Sequence, residues 1–151
     1  MIEIRACTIA ELESADNLDA LLTRYAREGS LPELGDPVPQ VDIYRLLEQT
    51  SVLHPVGAFE NGKLVGFIFP LVGPIPHYGA TAVTIESFFV RPEERKQGAG
   101  LALLAQAESL GRDLGARAIL VSAPKGGTLA RVLSSKDAYR HSNEVFVRAL
   151  A

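Results

Sequence analysis

Apolar and polar residues alternate from the start of the chain. Ile2, Ile4 and Ala6 interleave with Glu3, Arg5 and Cys7, the two-residue period of a half-buried strand. Leu18, Leu21, Leu22, Tyr25 and Ala26 then recur at helical spacing, and Gly29 stands where such a helix would stop. Gly29, Pro32, Gly35, Pro37 and Pro39 make residues 29–40 a loop, which carries Glu33 and Asp36; a short helix is expected from Ile43 to Gln49. The runs VGAFE and KLVGFIFPLV flank Asn61-Gly62, a pair suited to the two positive φ angles of a type I′ turn, so they predict a hairpin. Gly73, Pro74, Pro76 and Gly79 predict a second turn region around His77 and Tyr78, leading into a strand from Ala82 to Val90. A regular strand there places Val83, Ile85 and Phe89 on one face and Thr84, Glu86, Phe88 and Val90 on the other.

Beyond that strand, Leu101, Leu104, Ala107, Leu110 and Leu114 predict the apolar stripe of a helix over residues 98–114, with Gly115 at its C-terminal end. AILV, residues 118–121, reads as a short buried strand, TLARVLSS as a short helix, and NEVFVRAL as an edge or antiparallel strand. The predicted fold is α/β with a mixed sheet, a single domain over residues 1–151. Its first strands are antiparallel, and a βαβ crossover then makes its two strands parallel. Ligands of open sheets tend to lie off the carboxyl ends of such strands, where Arg95 to Gly100 falls.

Composition narrows the partners. The 151 residues fit one domain, and 47% apolar residues suffice for a core. A formal charge of −3 argues against neutralisation of a nucleic-acid backbone, so no nucleic acid is expected and any anion site must be local. Cys7 is the one cysteine, which rules out an intrachain disulfide and fits a reducing compartment. His54, His77 and His141 are too scattered to predict a metal site. No apolar run approaches the roughly 18–20 residues of a membrane span, and the opening MIEIRACTIAEL has no apolar core of a signal peptide. A cytoplasmic protein without a membrane partner is expected.

The candidate chemistry centres on VRPEERKQGAGL, where an apolar strand hands over to a helix. The first turn of a helix carries unpaired N–H groups and the positive end of the dipole. Gly98 and Gly100 remove side chains that would hold a phosphate away from those amides, and Arg95 and Lys96 add positive charge ahead of them. A P-loop is excluded, because GxxxxGK[ST] does not occur, and Leu103 stands where a dinucleotide fingerprint needs glycine or alanine. The spacing alone also fits two glycines that merely permit a tight turn.

The same stretch resembles the V-x-P-x-x-R/Q-x-x-G-x-G/A signature of the GNAT superfamily of N-acetyltransferases, with Val90, Pro92, Arg95, Gly98 and Gly100 at the pattern's positions. The resemblance implies that fold over nearly the whole chain and acetyl-CoA as donor. It implies that the pyrophosphate lies on the amides of Gln97, Gly98, Ala99, Gly100 and Leu101. The pantetheine would pair with the backbone of Phe88, Phe89 and Val90, where the strand splays from the parallel strand that follows. The acceptor would be a primary amine on a small molecule or peptide, attacked directly in a ternary complex, and Glu33 and Asp36 lie in a segment that helps form the family's acceptor pocket. Family members are often dimers, so a homodimer is allowed.

Acetyl transfer to an ammonium of pKa about 10 requires a base. The candidate is Glu86, a carboxylate in an apolar strand where burial would raise its pKa; the alternative is a solvated or ion-paired carboxylate. The family's usual acid, a tyrosine on the last helix, is missing: Gly127 and Ser134 stand at the Asn and Tyr positions of the family pattern. Ser134 and Tyr139 remain as substitutes, the latter at the position of a packing aromatic. A non-catalytic acyl-CoA-binding module is the alternative reading.

Overall fold

The computed structural model describes every residue except Asp16 and Ser30. Five strands form one mixed sheet in the order β1-β2-β3-β4-β5. Strand β1 (Ile2–Ala6) leads into α1 (Ile9–Glu13), α2 (Leu18–Glu28), a 3₁₀ turn at Pro32–Leu34 and α3 (Val41–Gln49). The antiparallel strands β2 (Val56–Glu60), β3 (Lys63–Ile75) and β4 (Ala80–Val90) follow. A 3₁₀ turn at Pro92–Gln97 opens into α4 (Ala99–Asp113), then β5 (Ala118–Val121) and α5 (Thr128–Ser134). β4 and β5 are parallel, as the crossover requires. Asn61 and Gly62 take φ values of 51° and 78°, the two positive angles of the expected hairpin turn.

Two apolar layers sandwich the sheet. Ile9, Leu12, Leu18, Leu21, Leu22, Phe67, Phe69 and Phe89 fill the layer under α1 and α2, with Tyr25, Tyr44 and Leu47 packed against it. Val65, Ile68, Val83, Ile85, Leu103, Leu104 and Ala107 fill the layer under α4. Tyr25 meets Phe67 and Phe89 edge-on at 6.0 Å between ring centroids, an arrangement worth about 0.5–1.5 kcal/mol per pair beyond the buried area.

Several elements differ from the sequence pattern, each for a local reason. Strand β3 runs through Gly73 and Pro74 to Ile75, so the second turn shrinks to residues 76–79. Val72 N–H points away from β4, to Val52 O at 2.8 Å; Pro74, two residues on, points its nitrogen the same way and forfeits no bond to β4. In β4, Phe69 pairs with Ser87 but Pro70 pairs with Ile85, so Glu86 is the extra residue of a bulge. The bulge inverts the expected alternation. Val83 and Ile85 face α4, but beyond Glu86 it is Phe88 and Val90 that face it, and Phe89 lies in the opposite layer.

The α4 stripe is rotated from the expected one. Ala99, Leu103, Leu104, Ala107 and Gly111 are buried, while Leu101 and Leu114 are 49% and 45% exposed. Small residues win this face because the helix lies so close to the sheet: a Cβ on Gly111 would fall 2.6 Å from Val83 Cγ2. β5 is half-exposed rather than buried, since it forms the sheet's edge. NEVFVRAL forms no strand, and residues 140–151 are all exposed.

Candidate functional site

The parallel pairing of β4 and β5 covers only Ala82–Ile85 against Ala118–Val121. From Glu86 to Val90, β4 keeps its partner β3 on one side and, among the described residues, has no strand on the other. The bulge at Glu86 is where this divergence starts. A bulge increases local twist, and here it coincides with the end of the parallel pairing, which leaves the second half of β4 as one edge of an open cleft.

The N-terminus of α4 closes one end of that cleft. Gly98 sits in the left-handed region (φ 79°, ψ 7°) as the C-cap of the 3₁₀ turn and the N-cap of α4. A side chain there would be strained, although the space beyond is open. No side chain among the described residues caps α4, and the first amide bonded within the helix is Ala102 N–H, to Gly98 O at 3.1 Å. The amides of Ala99, Gly100 and Leu101 therefore precede the helical ladder and keep their donor capacity. A Cβ on Gly100 would stand 3.9 Å from both Phe88 Cζ and Val90 Cγ2, so this turn rests against the unpaired half of β4.

The cations ahead of the glycines divide their work. Arg95 donates from Nε to Val90 O (2.7 Å) and from Nη2 to Glu28 Oε1 (2.6 Å), with its guanidinium carbon 5.4 Å from the Phe89 ring centroid. It braces the turn against β4 and the end of α2. Buried Glu94, held by Arg91 and by Gln97 Nε2 at 3.2 Å, braces the turn from within. Lys96 is exposed and has no ion-pair partner among the described residues, which leaves it as the cation available to a ligand.

Glu86 lies exposed at the bulge, not in apolar surroundings. It accepts from Ser87 Oγ at 2.5 Å and from Tyr44 Oη at 3.2 Å, and Tyr44 Oη stands 3.4 Å from Ser87 Oγ. Burial pushes the Tyr44 phenol above its ordinary range, with the charge of Glu86 adding to the effect, so it stays a neutral donor. Tyr25 is shifted the same way by burial and by Glu86. The carboxylate is thus fixed by two hydroxyls and open to solvent.

This cleft-and-helix arrangement has counterparts. Residues 16–130 match the family model described as Acetyltransferase (GNAT) family. The chain belongs to the GNAT family. No curated protein matches this GNAT chain in sequence. Among solved structures, it is similar to a ribosomal-protein-alanine N-acetyltransferase from Brucella melitensis biovar Abortus 2308, at 23% identity, TM-score 0.72 and full coverage of both chains. It is also similar to an aminoglycoside acetyltransferase from an uncultured soil metagenomic sample, crystallised with sisomicin: 17% identity, TM-score 0.76, covering 99% of this chain and 97% of that one. A glucosamine-6-phosphate N-acetyltransferase from Arabidopsis thaliana gives 12% identity, TM-score 0.75 and coverage of 100% and 99%. At these identities the likeness establishes the shared fold.

The remaining candidates of this GNAT chain lie on other elements, and none is hydrogen-bonded to Glu86 among the described residues. Ser134 is exposed at the end of α5. Tyr139 packs against the α4-side layer and donates to Glu108 Oε2 at 2.5 Å, with burial raising its pKa. Neither contacts Glu86. Glu33, Asp36, His77, Tyr78 and His141 are exposed surface residues. Tyr44 and Ser87 escaped the sequence reading. The signal available for Tyr44 was its place with Val41 and Leu47 on the face of α3 turned to the core.

Cys7 lines a hollow of about 290 Å³ with Glu48, His54 and Gln106, which shares no residue with the cleft. Burial pushes its thiol up to about 12, so it is no nucleophile at neutral pH. Native protein at pH 8 is expected to react with iodoacetamide at least about tenfold more slowly than protein unfolded in urea. Because the folded pKa lies above the thiol's usual 9.0, its contribution to stability is complete below pH 9.0 and is lost as pH rises toward about 12. Urea melts of the wild type and Cys7→Ala across that interval check the sign: the wild type should lose more stability with pH than the variant.

Proposed function

We propose that this protein is an acetyl-CoA-dependent N-acetyltransferase that acts on a primary amine by direct attack. The observation that carries the reading is one continuous track. The uncapped amides of Ala99, Gly100 and Leu101 stand beside the strand half Glu86–Val90, which lacks a partner on the side away from β3 among the described residues, and Glu86 stands at its far end. Four residue-to-residue steps of strand separate Val90 from Glu86, about 13 Å.

The residues suit an acyl-CoA. Gly98 and Gly100 leave the helix amides open to a pyrophosphate, together with the amide of Gln97 and the ammonium of Lys96. Phe88 and Val90 offer main-chain groups to the amides of the pantetheine arm, the Val90 carbonyl already accepting from Arg95, whereas the N–H and C=O of Phe89 face β3 in its pair with Phe67. The coenzyme supplies the activated acetyl group and a thiolate leaving group. Glu86, open to solvent, takes the proton from the acceptor ammonium directly or through water, while Tyr44 and Ser87 fix its two oxygens. A main-chain N–H on the unpaired half of β4 donates to the thioester oxygen as negative charge develops there. The thiolate can leave without a dedicated acid. The acidic loop residues Glu33 and Asp36 favour a cationic acceptor, and a cytoplasmic location fits acetyl-CoA supply.

A second reading, an acyl-CoA-binding module without turnover, is favoured by one observation: serine, not tyrosine, stands at position 134, and the Tyr139 hydroxyl is engaged by Glu108. Thiol release from acetyl-CoA, followed with a panel of polyamines, aminoglycosides, amino acids and peptides, separates the two. Amine-dependent release from at least one acceptor is expected. Tight coenzyme binding with no release from any amine would favour the module.

A further inference from the structure

We propose that Ser87 and Tyr25 form a proton relay from Glu86 to the departing sulfur, so that a proton taken from the amine ends on the thiol; this rests on the acetyl-transfer reading of the cleft. The last turn of α2 touches both sides of that cleft. On one side Arg24 donates to Glu93 Oε1 at 2.7 Å and Glu28 accepts from Arg95 at 2.6 Å, which ties α2 to the turn ahead of Gly98. On the other, Gly29 lies against Pro124 in the loop after β5, whose Cγ is 3.8 Å from where a Cβ would stand. Tyr25 belongs to this bridging turn. Its ring meets Phe67 and Phe89 edge-on, and its hydroxyl lies beside the Ser87 side chain and the Phe88 N–H. Phe88 turns that N–H away from β3, toward the side of β4 offered to the pantetheine arm.

Ser87 joins this phenol to the base. It is 2% exposed, and its Oγ donates to Glu86 Oε2 at 2.5 Å. A hydroxyl both donates and accepts, so Ser87 can pass a proton on by turning its O–H from one neighbour to the other. Tyr44 holds the second oxygen of Glu86 at 3.2 Å and keeps the carboxylate aimed at Ser87. Burial raises the pKa of the Tyr25 phenol, which therefore carries its proton at neutral pH. The step balances. Glu86 takes one proton from the ammonium, the freed amine bonds to the carbonyl carbon, and the C–S bond breaks with its electron pair on sulfur. Sulfur takes the Tyr25 proton, Tyr25 takes that of Ser87, and Ser87 takes the one held by Glu86. A second proton leaves the nitrogen for solvent. The products are the amide and the thiol, and all three side chains return to their starting states.

Single-turnover acetyl transfer to a saturating amine, run in mixtures of H₂O and D₂O, tests the relay. Tyr25→Phe keeps the ring contacts with Phe67 and Phe89 and should slow the transfer about 10–100-fold, with coenzyme A affinity within about twofold of the wild type. The wild-type rate should fall along a bowed curve as deuterium replaces hydrogen, because several protons move together, and Tyr25→Phe should give a straight line. A phenol that only packed or positioned its neighbours would leave the shape of that curve unchanged. Ser87→Ala breaks the same chain, so Ser87→Ala with Tyr25→Phe should be no slower than Ser87→Ala alone. An undiminished rate in Tyr25→Phe, a bowed curve that persists in it, or losses that multiply in the double variant would each overturn the relay while leaving acetyl transfer standing. A wild type that acetylates no amine would overturn both the relay and the acetyltransferase reading beneath it.

Discussion

Replacing Glu86 by Gln is expected to lower kcat by about 10²–10³-fold, the usual contribution of a general base, with the KM for acetyl-CoA within about twofold of the wild type. Gln keeps the size of the side chain; its oxygen accepts from one of the two hydroxyls and its Nε2 donates to the other, which must turn its own proton away, so the bulge should survive. What it cannot do is take a proton. The split between kcat and KM matters, because a carboxylate that only bound a cationic acceptor would raise the acceptor's KM and leave kcat nearly unchanged. Tyr44→Phe removes one hydrogen bond to the charged carboxylate and should cost about tenfold in kcat, well short of the Gln substitution. Steady-state kinetics with whichever amine the acceptor panel reveals would measure both. Equal losses in the two variants would make Tyr44 a participant in the chemistry rather than a support for Glu86.

The second large effect is expected at Gly98. Its φ of 79° costs a non-glycine residue about 1–2 kcal/mol, and a carboxylate there would also oppose the phosphates at the positive end of α4. Gly98→Glu should weaken coenzyme A binding by about 100-fold and Gly98→Ala by about tenfold or less, measured by titration calorimetry. Because a Cβ on Gly98 meets nothing within 4 Å, neither substitution should displace the core. Lys96→Ala should have a smaller effect than Gly98→Glu, since an exposed lysine is strongly screened.

The sequence showed the order of elements and the glycine turn because both are written in local chemistry. Asn61-Gly62 can hardly be anything but a hairpin turn, and glycines at 98 and 100 announce an approach to main-chain amides. Other features depend on contacts distant in the chain. The bulge at Glu86 is invisible to an alternation count, since Ile85, Phe88, Phe89 and Val90 are apolar on either register; only pairing with Phe69 and Pro70 reveals the extra residue. The same holds for α4. Leu101 and Leu114 fit a helical stripe as well as Leu103 does, but close packing of Gly111 on Val83 turns the helix away from them. Arg95 looked like a phosphate ligand from its position in the motif, and its contacts with Val90 O and Glu28 depend on where α2 ends. Tyr44 reaches Glu86 from 42 residues away, a contact that no local pattern encodes.

The account turns on main-chain donors at the start of α4 and along the second half of β4. Amide chemical shifts of ¹⁵N-labelled protein during a coenzyme A titration report on these donors one by one. The largest changes are expected at Gly98, Ala99, Gly100 and Leu101, with Phe88 and Val90 next. Saturable binding that left those amides unmoved, and shifted residues of β1 or the hollow around Cys7 instead, would contradict it.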